Sequence, residues 1–130
     1  MKILSKLKVI STESAPAAVG PYSQAIMANG FLFVSGQLGV DPKTGNFVGE
    51  DTRSQFGQAL LNLKAILQSV GLDFDDVVKT TVFLTDINEF TLVNEIYAKH
   101  FNTMLPARSA IEISKLPKGA RVEIEAIACI

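Results

Sequence analysis

The pattern of hydrophobic and polar positions predicts that the chain begins with strands. Residues 3–10 alternate imperfectly between apolar and polar side chains, as a first strand would. Two apolar runs, 23–28 and 31–37, then flank the dipeptide Asn29-Gly30. This dipeptide is typical of a two-residue hairpin loop, because a type I′ turn needs positive φ at both central positions. We therefore predict one strand followed by a β-hairpin.

Two later segments have the spacing of amphipathic helices. Apolar side chains recur every three or four residues over 52–70, which predicts a helix with one buried face. Asp51 or Thr52 can cap its start, and Gly71 stands where a left-handed residue commonly ends a helix. A second helix is predicted over 88–101. The apolar residues of its inner face are Phe90, Val93, Tyr97 and Phe101.

The remaining apolar segments predict three more strands. β-Branched residues run from Val77 to Val82, and two strands, 108–113 and 121–129, complete the pattern. We expect these last two strands to pair antiparallel, since a short connection joins them. The order strand, hairpin, helix, strand, helix, strand, strand does not alternate strictly. It favours an α+β fold with both helices on one face of the sheet over a doubly wound parallel sheet, in a single domain spanning residues 1–130.

Several strands are apolar on both faces, as in the segments 31–34 and 122–127. Strands of this kind are buried on both sides of their sheet. Two helices can cover only one side, so we expect the other side to meet another subunit. The sequence thus predicts an obligate oligomer.

Composition narrows the chemistry that the chain can perform. Twelve basic and 13 acidic residues give a formal net charge of −1, which argues against a dedicated binder of the nucleic-acid backbone. One Cys and one His exclude an internal disulfide and a Cys/His zinc cluster. The N-terminus is too interrupted by Lys for a signal peptide, and no run approaches the roughly 18 apolar residues of a membrane span. We expect a cytoplasmic protein.

Arg108 is the first candidate for a functional residue. It opens the apolar segment ARSAIEI, where a guanidinium needs a partner. It could clamp a small carboxylate through paired N–H donors. The alternative is an ion pair with a Glu residue, within the chain or across an interface.

Glu123 and Glu125 lie in VEIEAIA, one of the most apolar segments of the chain. A carboxyl group held in a pocket there would have its pKa raised by desolvation and could act as a general base. Alternatively, both side chains face solvent while Val122, Ile124 and Ala126 point inward. The sequence does not fix the register that would bring Arg108 and Glu123 together, and they could also meet across subunits.

Two further positions carry weaker signals. His100 near a helix end is typical of a surface residue, and no Ser or Cys forms a catalytic triad with it. In Ser35-Gly36-Gln37 the glycine permits close approach of a ligand to the backbone, or it marks a simple bulge. No glycine-rich nucleotide-binding motif is present.

Five segments, in order, resemble the RidA family (reactive intermediate deaminase A, or YjgF-type). They are APAAVGPYSQA at 15–25, FVSGQLGVDPKTG at 33–45, VKTTVFLTDINEF at 78–90, PARSAIEI at 106–113 and VEIEAIA at 122–128. The resemblance implies a chorismate-mutase-like α+β fold. It also implies a homotrimer whose sheets pack into a central barrel, with three clefts between subunits.

The same resemblance implies deamination of 2-imino acids, the products of dehydratases that act on threonine or serine. By it, Arg108 binds the substrate carboxylate and Glu123 positions or activates water. It assigns further cleft positions to Tyr22, Ser35, Gly36, Asn94 and Ala110. Many relatives have Cys at the last of these positions, so only its backbone can serve here. The alternative is a regulatory module that binds small carboxylates without turnover. A ribonuclease or translation inhibitor is disfavoured by the near-neutral charge.

Overall fold

A computed structural model describes residues 6–130 and shows one six-stranded sheet with two α-helices. Residues 1–5, over which the predicted first strand would begin, lie outside the described residues. The strands are β1 (Leu7–Ile10), β2 (Ala25–Ala28), β3 (Phe31–Gln37), β4 (Val77–Leu84), β5 (Ala107–Glu112) and β6 (Val122–Cys129). The helices are α1 (Thr52–Ser69) and α2 (Phe90–His100). Short 3₁₀ turns cover Phe74–Asp76, Ile87–Glu89 and Pro117–Gly119.

The predicted hairpin is confirmed. β2 and β3 pair antiparallel, with Ala28 opposite Phe31 across the turn. Asn29 and Gly30 have φ values of 53° and 85°, as a type I′ turn demands. The turn chemistry encoded in two residues therefore sets the register of both strands.

The predicted pairing of the last two strands is wrong. The sheet order is β1-β2-β3-β6-β4-β5, so β4 lies between β5 and β6. β5 runs parallel to β4 because α2 carries the chain back between them, whereas β6 pairs antiparallel with the other side of β4. The connection 113–121 carries the chain past β4. β5 thereby becomes an edge strand, and β6 lies inside the sheet.

Local contacts explain the helix boundaries. The side chain of Asp51 accepts a 2.9 Å hydrogen bond from the backbone N–H of Ser54, so Asp51 caps α1. Gly71 follows the helix with φ 77°, as predicted. The second helix begins at Phe90, two residues later than expected, because a 3₁₀ turn precedes it. Within residues 6–130, neither helix is long and apolar enough to cross a membrane.

Both helices pack on one face of the sheet, as predicted. Val122, Ile124 and Ala126 of β6 are buried on that face, together with Leu60 and Leu63 of α1. Within residues 6–130 the other face carries no helix, and a row of apolar side chains crosses it. Successive cross-strand partners on it are Val9, Ile26, Phe33 and Ile127.

Candidate active site

Four of the predicted site residues line one cavity of about 610 Å³. Tyr22 comes from the loop before β2, Ser35 and Gly36 from β3, and Glu123 from the neighbouring strand β6. Lys118 and Glu125 also line this cavity, which we call the Glu123 cavity. Adjacent strands and a loop therefore assemble part of the site that the sequence resemblance implied.

Gly36 stands directly against the carboxyl group of Glu123. The pairing of β3 with β6 shifts register between Val34 and Gln37, so the glycine lies in a bulge. A β-carbon at this position would come within 2.7 Å of Glu123 Cδ and 2.8 Å of its Oε1. The bulge is confirmed, and the group that stands against the glycine is a side chain of the protein itself; approach of a ligand to this backbone stays a prediction.

Glu123 is half-buried, whereas Glu125 on the same face of β6 is exposed. Burial raises the pKa of the Glu123 carboxyl above its ordinary value, and the negative charge of Glu125 raises it further. The flanking residues Val122 and Ile124 point into the core, as the alternative interpretation had it. Glu123 nevertheless faces a cavity, and it has the environment of a general base.

Buried polar groups hold the loop that carries Tyr22. The side chain of Gln24 accepts a hydrogen bond from the backbone N–H of Thr12 and donates to the carbonyls of Thr12, Ala15 and Pro16. Ser35 Oγ donates to the carbonyl of Ser23 at 2.6 Å. Gln24 was not among the predicted site residues. Its position directly before an apolar strand could have indicated that this polar side chain is buried and hydrogen-bonded.

The remaining predicted residues form a second group around Arg108. Its Nη1 donates to Asn94 Oδ1 at 2.8 Å. Its guanidinium carbon lies 4.7 Å from the ring centre of Tyr97 and 5.2 Å from that of Phe90. The helical pattern of 88–101 predicts both rings only as residues of the inner face. Their i, i+4, i+7 spacing with Asn94 could have shown that one helix face surrounds the arginine.

Arg108 has no ion-pair partner among residues 6–130. The other two arginines of the chain do form ion pairs, with Glu95 and Glu89. The intramolecular ion pair considered above for Arg108 is therefore not observed. Only one of its five N–H groups is bound to a side chain of this part of the chain, so it retains donors for an anionic ligand.

Arg108 and Glu123 lie on opposite faces of the sheet. Arg108 pairs with Thr80 of β4, and Glu123 pairs with Phe83 of the same strand. Residues an odd number apart on a strand point to opposite faces. Ala110 pairs with Val82 and so shares the helix-covered face with Arg108. One chain thus contains two separate parts of the implied site.

His100 belongs to neither part. Its Nδ1 donates to the carbonyl of Ile96, and its ring packs edge-on against Phe74, 5.4 Å between centres. His100 is the last residue of α2, as predicted. In residues 6–130 no three His, Cys, Asp or Glu side chains are grouped so that they could hold a metal ion.

The sequence profile of the endoribonuclease L-PSP family matches residues 12–130. A human protein named 2-iminobutanoate/2-iminopropanoate deaminase is 50% identical over 121 residues, which are 93% of this chain and 88% of the human one. An Arabidopsis thaliana protein named Reactive Intermediate Deaminase A, chloroplastic, is 52% identical over 96% of this chain and 67% of its own. A crystal structure of a Rid family protein from Yersinia pestis, of unknown function, superposes with a TM-score of 0.93 at 50% identity. It covers 95% of this chain and 99% of the other.

Proposed function

The chain belongs to the endoribonuclease L-PSP family and, within it, to the Rid proteins, and on this premise we propose that it hydrolyses 2-imino acids to 2-oxo acids and ammonia. The substrates that we propose are 2-iminobutanoate and 2-iminopropanoate. The observation that carries this proposal is the identity with the human deaminase, which extends over nearly the whole chain. The two groups of side chains described above supply the chemistry that this reaction needs.

An imino acid is already electrophilic at C2, so the protein must hold the carboxylate and position a water. We assign the carboxylate to Arg108, whose remaining N–H groups can bind two oxygens side by side. Asn94 orients the guanidinium from its other side. Tyr22, Ser35 and Gly36 line the cavity around the reacting end, and Ala110 contributes backbone groups near the arginine.

Glu123 acts on the water in this proposal. The water oxygen bonds to C2 of the iminium while the carboxylate takes one of its protons, which gives a carbinolamine. The carboxyl then returns that proton to the amino nitrogen. The C–N bond breaks, and the hydroxyl proton leaves with the nitrogen as ammonium while the C=O bond of the 2-oxo acid forms. A pKa raised by burial makes Glu123 a stronger base for the first step.

We propose that the complete site forms between subunits of a homotrimer. Arg108 and Glu123 lie on opposite faces of the sheet and cannot act on one small substrate from a single chain. The apolar face of the sheet also needs a cover. Its exposed side chains include Leu7, Val9, Phe31, Phe33 and Ile111. Sheets packed around a central axis would bury this face and bring Glu123 of one copy towards Arg108 of the next.

The family's description names a ribonuclease, and the described residues offer little support for that activity. The net charge is −1, and the Glu123 cavity contains two carboxylates beside a single Lys. The only His does not line this cavity. A phosphate backbone would be repelled by such a surface. An imine with one carboxylate, held by an arginine from the neighbouring subunit, fits it better.

We further propose a cytoplasmic enzyme that needs no metal or cofactor. The exposed free thiol of Cys129 suits a reducing compartment. The Arabidopsis relative carries a chloroplast address in its name, so location is tested directly, with a fluorescent fusion. Cofactor independence is tested by assaying the protein after exhaustive dialysis against a chelator.

The assay generates 2-iminobutanoate in place with a threonine dehydratase and follows 2-oxobutanoate formation. An imine-trapping amine, such as semicarbazide, competes with hydrolysis. We expect the protein to speed release of the 2-oxo acid and to suppress the trapped product. An unchanged rate together with thermal stabilisation by 2-oxobutanoate would support the regulatory module instead. Cleavage of single-stranded RNA without imine hydrolysis would support the ribonuclease.

A further inference from the structure

We propose that Tyr97, anchored by Thr80, is a positioning residue that sets the orientation of the Arg108 guanidinium for a substrate carboxylate. The inference rests on the proposed function for the identity of the substrate. It goes beyond that function because it assigns a role to two side chains that otherwise belong only to the core. Neither side chain touches the substrate in this proposal.

One face of α2 surrounds the arginine. Phe90, Asn94 and Tyr97 follow one another at i, i+4 and i+7, and all three contact Arg108. Asn94 accepts a hydrogen bond from Arg108 Nη1, and the guanidinium carbon lies over both rings, 4.7 Å from the centre of Tyr97 and 5.2 Å from that of Phe90. One acceptor and two rings of the same helix thus hold the cation, and its remaining N–H groups stay available for an anionic ligand.

The Tyr97 ring is itself held by a residue of the sheet, Thr80 of β4. Its hydroxyl shares a 2.7 Å hydrogen bond with Thr80 Oγ1, and both residues are buried. Thr80 is also the residue of β4 that pairs with Arg108 of β5. Each of the three residues is therefore linked to the other two. Tyr97 contacts both Thr80 and Arg108 directly, and Thr80 and Arg108 are paired across neighbouring strands.

Packing alone does not account for this hydroxyl pair. The Tyr97 ring stacks on Phe101 with 4.3 Å between centres, a contact that phenylalanine could make equally well. Burial raises the pKa of the Tyr97 hydroxyl, while the hydrogen bond to Thr80 and the charge of Arg108 oppose this shift. The hydrogen bond with Thr80 holds the hydroxyl end of the buried Tyr97 ring. It therefore limits how far the ring can shift along its long axis relative to Arg108.

The function of such an arrangement is preorganisation. Arginine has several rotatable bonds, and a free guanidinium must be ordered when it binds a carboxylate. Holding it in advance removes that cost from substrate binding and keeps C2 in line with the attacking water. Loss of the anchor should therefore raise KM for the imino acid more than it lowers kcat.

The test compares Thr80→Val, Thr80→Ser, Tyr97→Phe and Tyr97→Leu in the full-length protein. We expect Thr80→Val and Tyr97→Phe to weaken 2-oxobutanoate binding and raise KM roughly three- to tenfold, as for one lost hydrogen bond. Tyr97→Leu should cost about tenfold or more, because the ring is lost as well. Thr80→Ser keeps the hydroxyl and should restore values near those of the unmodified protein.

A purely structural role is distinguished in two ways. Val93→Ala removes buried packing from the same helix and should lower the melting temperature without changing KM. In the Arg108→Ala background, Thr80→Val should have no further effect on carboxylate binding, because the group it positions is gone. Equal losses with and without Arg108 would overturn the proposal, and so would a KM for Thr80→Val that stays unchanged.

Measuring 2-oxobutanoate binding as well as activity distinguishes failure of this proposal from failure of the proposed function. If the protein hydrolyses no imine but binds 2-oxobutanoate, and the variants weaken that binding as described, the positioning role stands and the activity does not. If imine hydrolysis is fast and the variants leave both KM and binding unchanged, the activity stands and the positioning role is wrong. If 2-oxobutanoate does not bind at all, Arg108 is no carboxylate clamp and both fail.

Discussion

The carboxyl group of Glu123 occupies the space that a β-carbon on residue 36 would need, so this position accommodates only glycine without a shift. A methyl group on Gly36 would stand 2.7 Å from Glu123 Cδ, well inside van der Waals contact. The obstructing atoms are the far end of a flexible side chain, so Gly36→Ala should fold while the carboxyl moves aside. Displacement of a catalytic group by about 1 Å can cost about 10²-fold in rate, and we expect a loss of kcat of that order.

Gly57→Ala is the matched control for this prediction. Apart from its chain neighbours and the backbone of its own helix, no atom lies within 4 Å of a β-carbon added to Gly57, which is inside α1. Alanine there should leave kcat unchanged and stabilise the helix by about 0.5–1 kcal/mol. Steady-state kinetics and thermal unfolding of both variants make the comparison. Full activity of Gly36→Ala would show that the position of the Glu123 carboxyl is unimportant.

Arg108→Ala and Glu123→Gln should each abolish or strongly reduce acceleration of imine hydrolysis. If the site forms between subunits, mixing the two inactive variants should restore activity. Random assembly pairs an intact Arg108 with a partner's intact Glu123 at about a quarter of the sites. The measurement is activity after the variants are unfolded and refolded together, with each refolded alone as the control. Inactive mixtures would place both groups of one site in the same chain.

The raised pKa of Glu123 also predicts how stability depends on pH. Burial disfavours the charged carboxylate, so the folded protein binds this proton more tightly than the unfolded chain does. Stability is therefore lost as pH rises from the ordinary Glu value through the folded-state pKa. Glu123→Gln cannot ionise and should gain melting temperature relative to the unmodified protein over this interval, then hold that gain at higher pH.

Thermal unfolding of both proteins across a series from about pH 4 to pH 8 measures this difference. Glu125→Gln removes the negative charge that is the second cause of the raised Glu123 pKa. The pH interval over which stability is lost should then end at a lower pH. A melting-temperature difference independent of pH would mean that the Glu123 carboxyl ionises equally in the folded and unfolded states.

Phe33→Glu should prevent assembly. Phe33 lies on the helix-free face of the sheet and is 45% exposed in one chain. A charge placed in an apolar interface costs more than the contact it replaces contributes. We expect the unmodified protein to scatter light as a particle of three times 14.0 kDa and the variant as a smaller species with little activity. Leu61→Glu is the control, because Leu61 is exposed on α1 and away from that face.

The sequence predicted the elements of the fold better than their arrangement. Local chemistry determines the hairpin at Asn29 and the capped start of α1, and both were correct to within a residue. The neighbour of a strand is determined by packing between distant segments. The position of β4 between β5 and β6 therefore could not be read from the short connection that joins the last two strands.

The candidate site shows the same division. Arg108 and Glu123 were identified correctly as unusual charges in apolar strands, but their faces follow from the register of β4 with both neighbours. The rings around Arg108 were placed on the inner face of α2, and only the pairing of β5 with β4 showed that this face also meets a cation. A helical pattern identifies which side chains share a face. It does not identify the residues that pack against that face, because these belong to distant segments of the chain.

The location of β6 has a consequence for how the protein comes into being. This strand is the last along the described chain, yet it is the one that joins β3 to β4 and so unites the two halves of the sheet. Until it inserts, β1–β3 and β4–β5 have no shared hydrogen bonds and both present open edges. Glu123, the base in the proposed function, lies on this same strand, so a chain in which β6 is not ordered has neither a finished sheet nor this carboxyl in place. Ordering of the last strand therefore completes the sheet within one chain and also places the carboxyl that the proposed site between subunits needs.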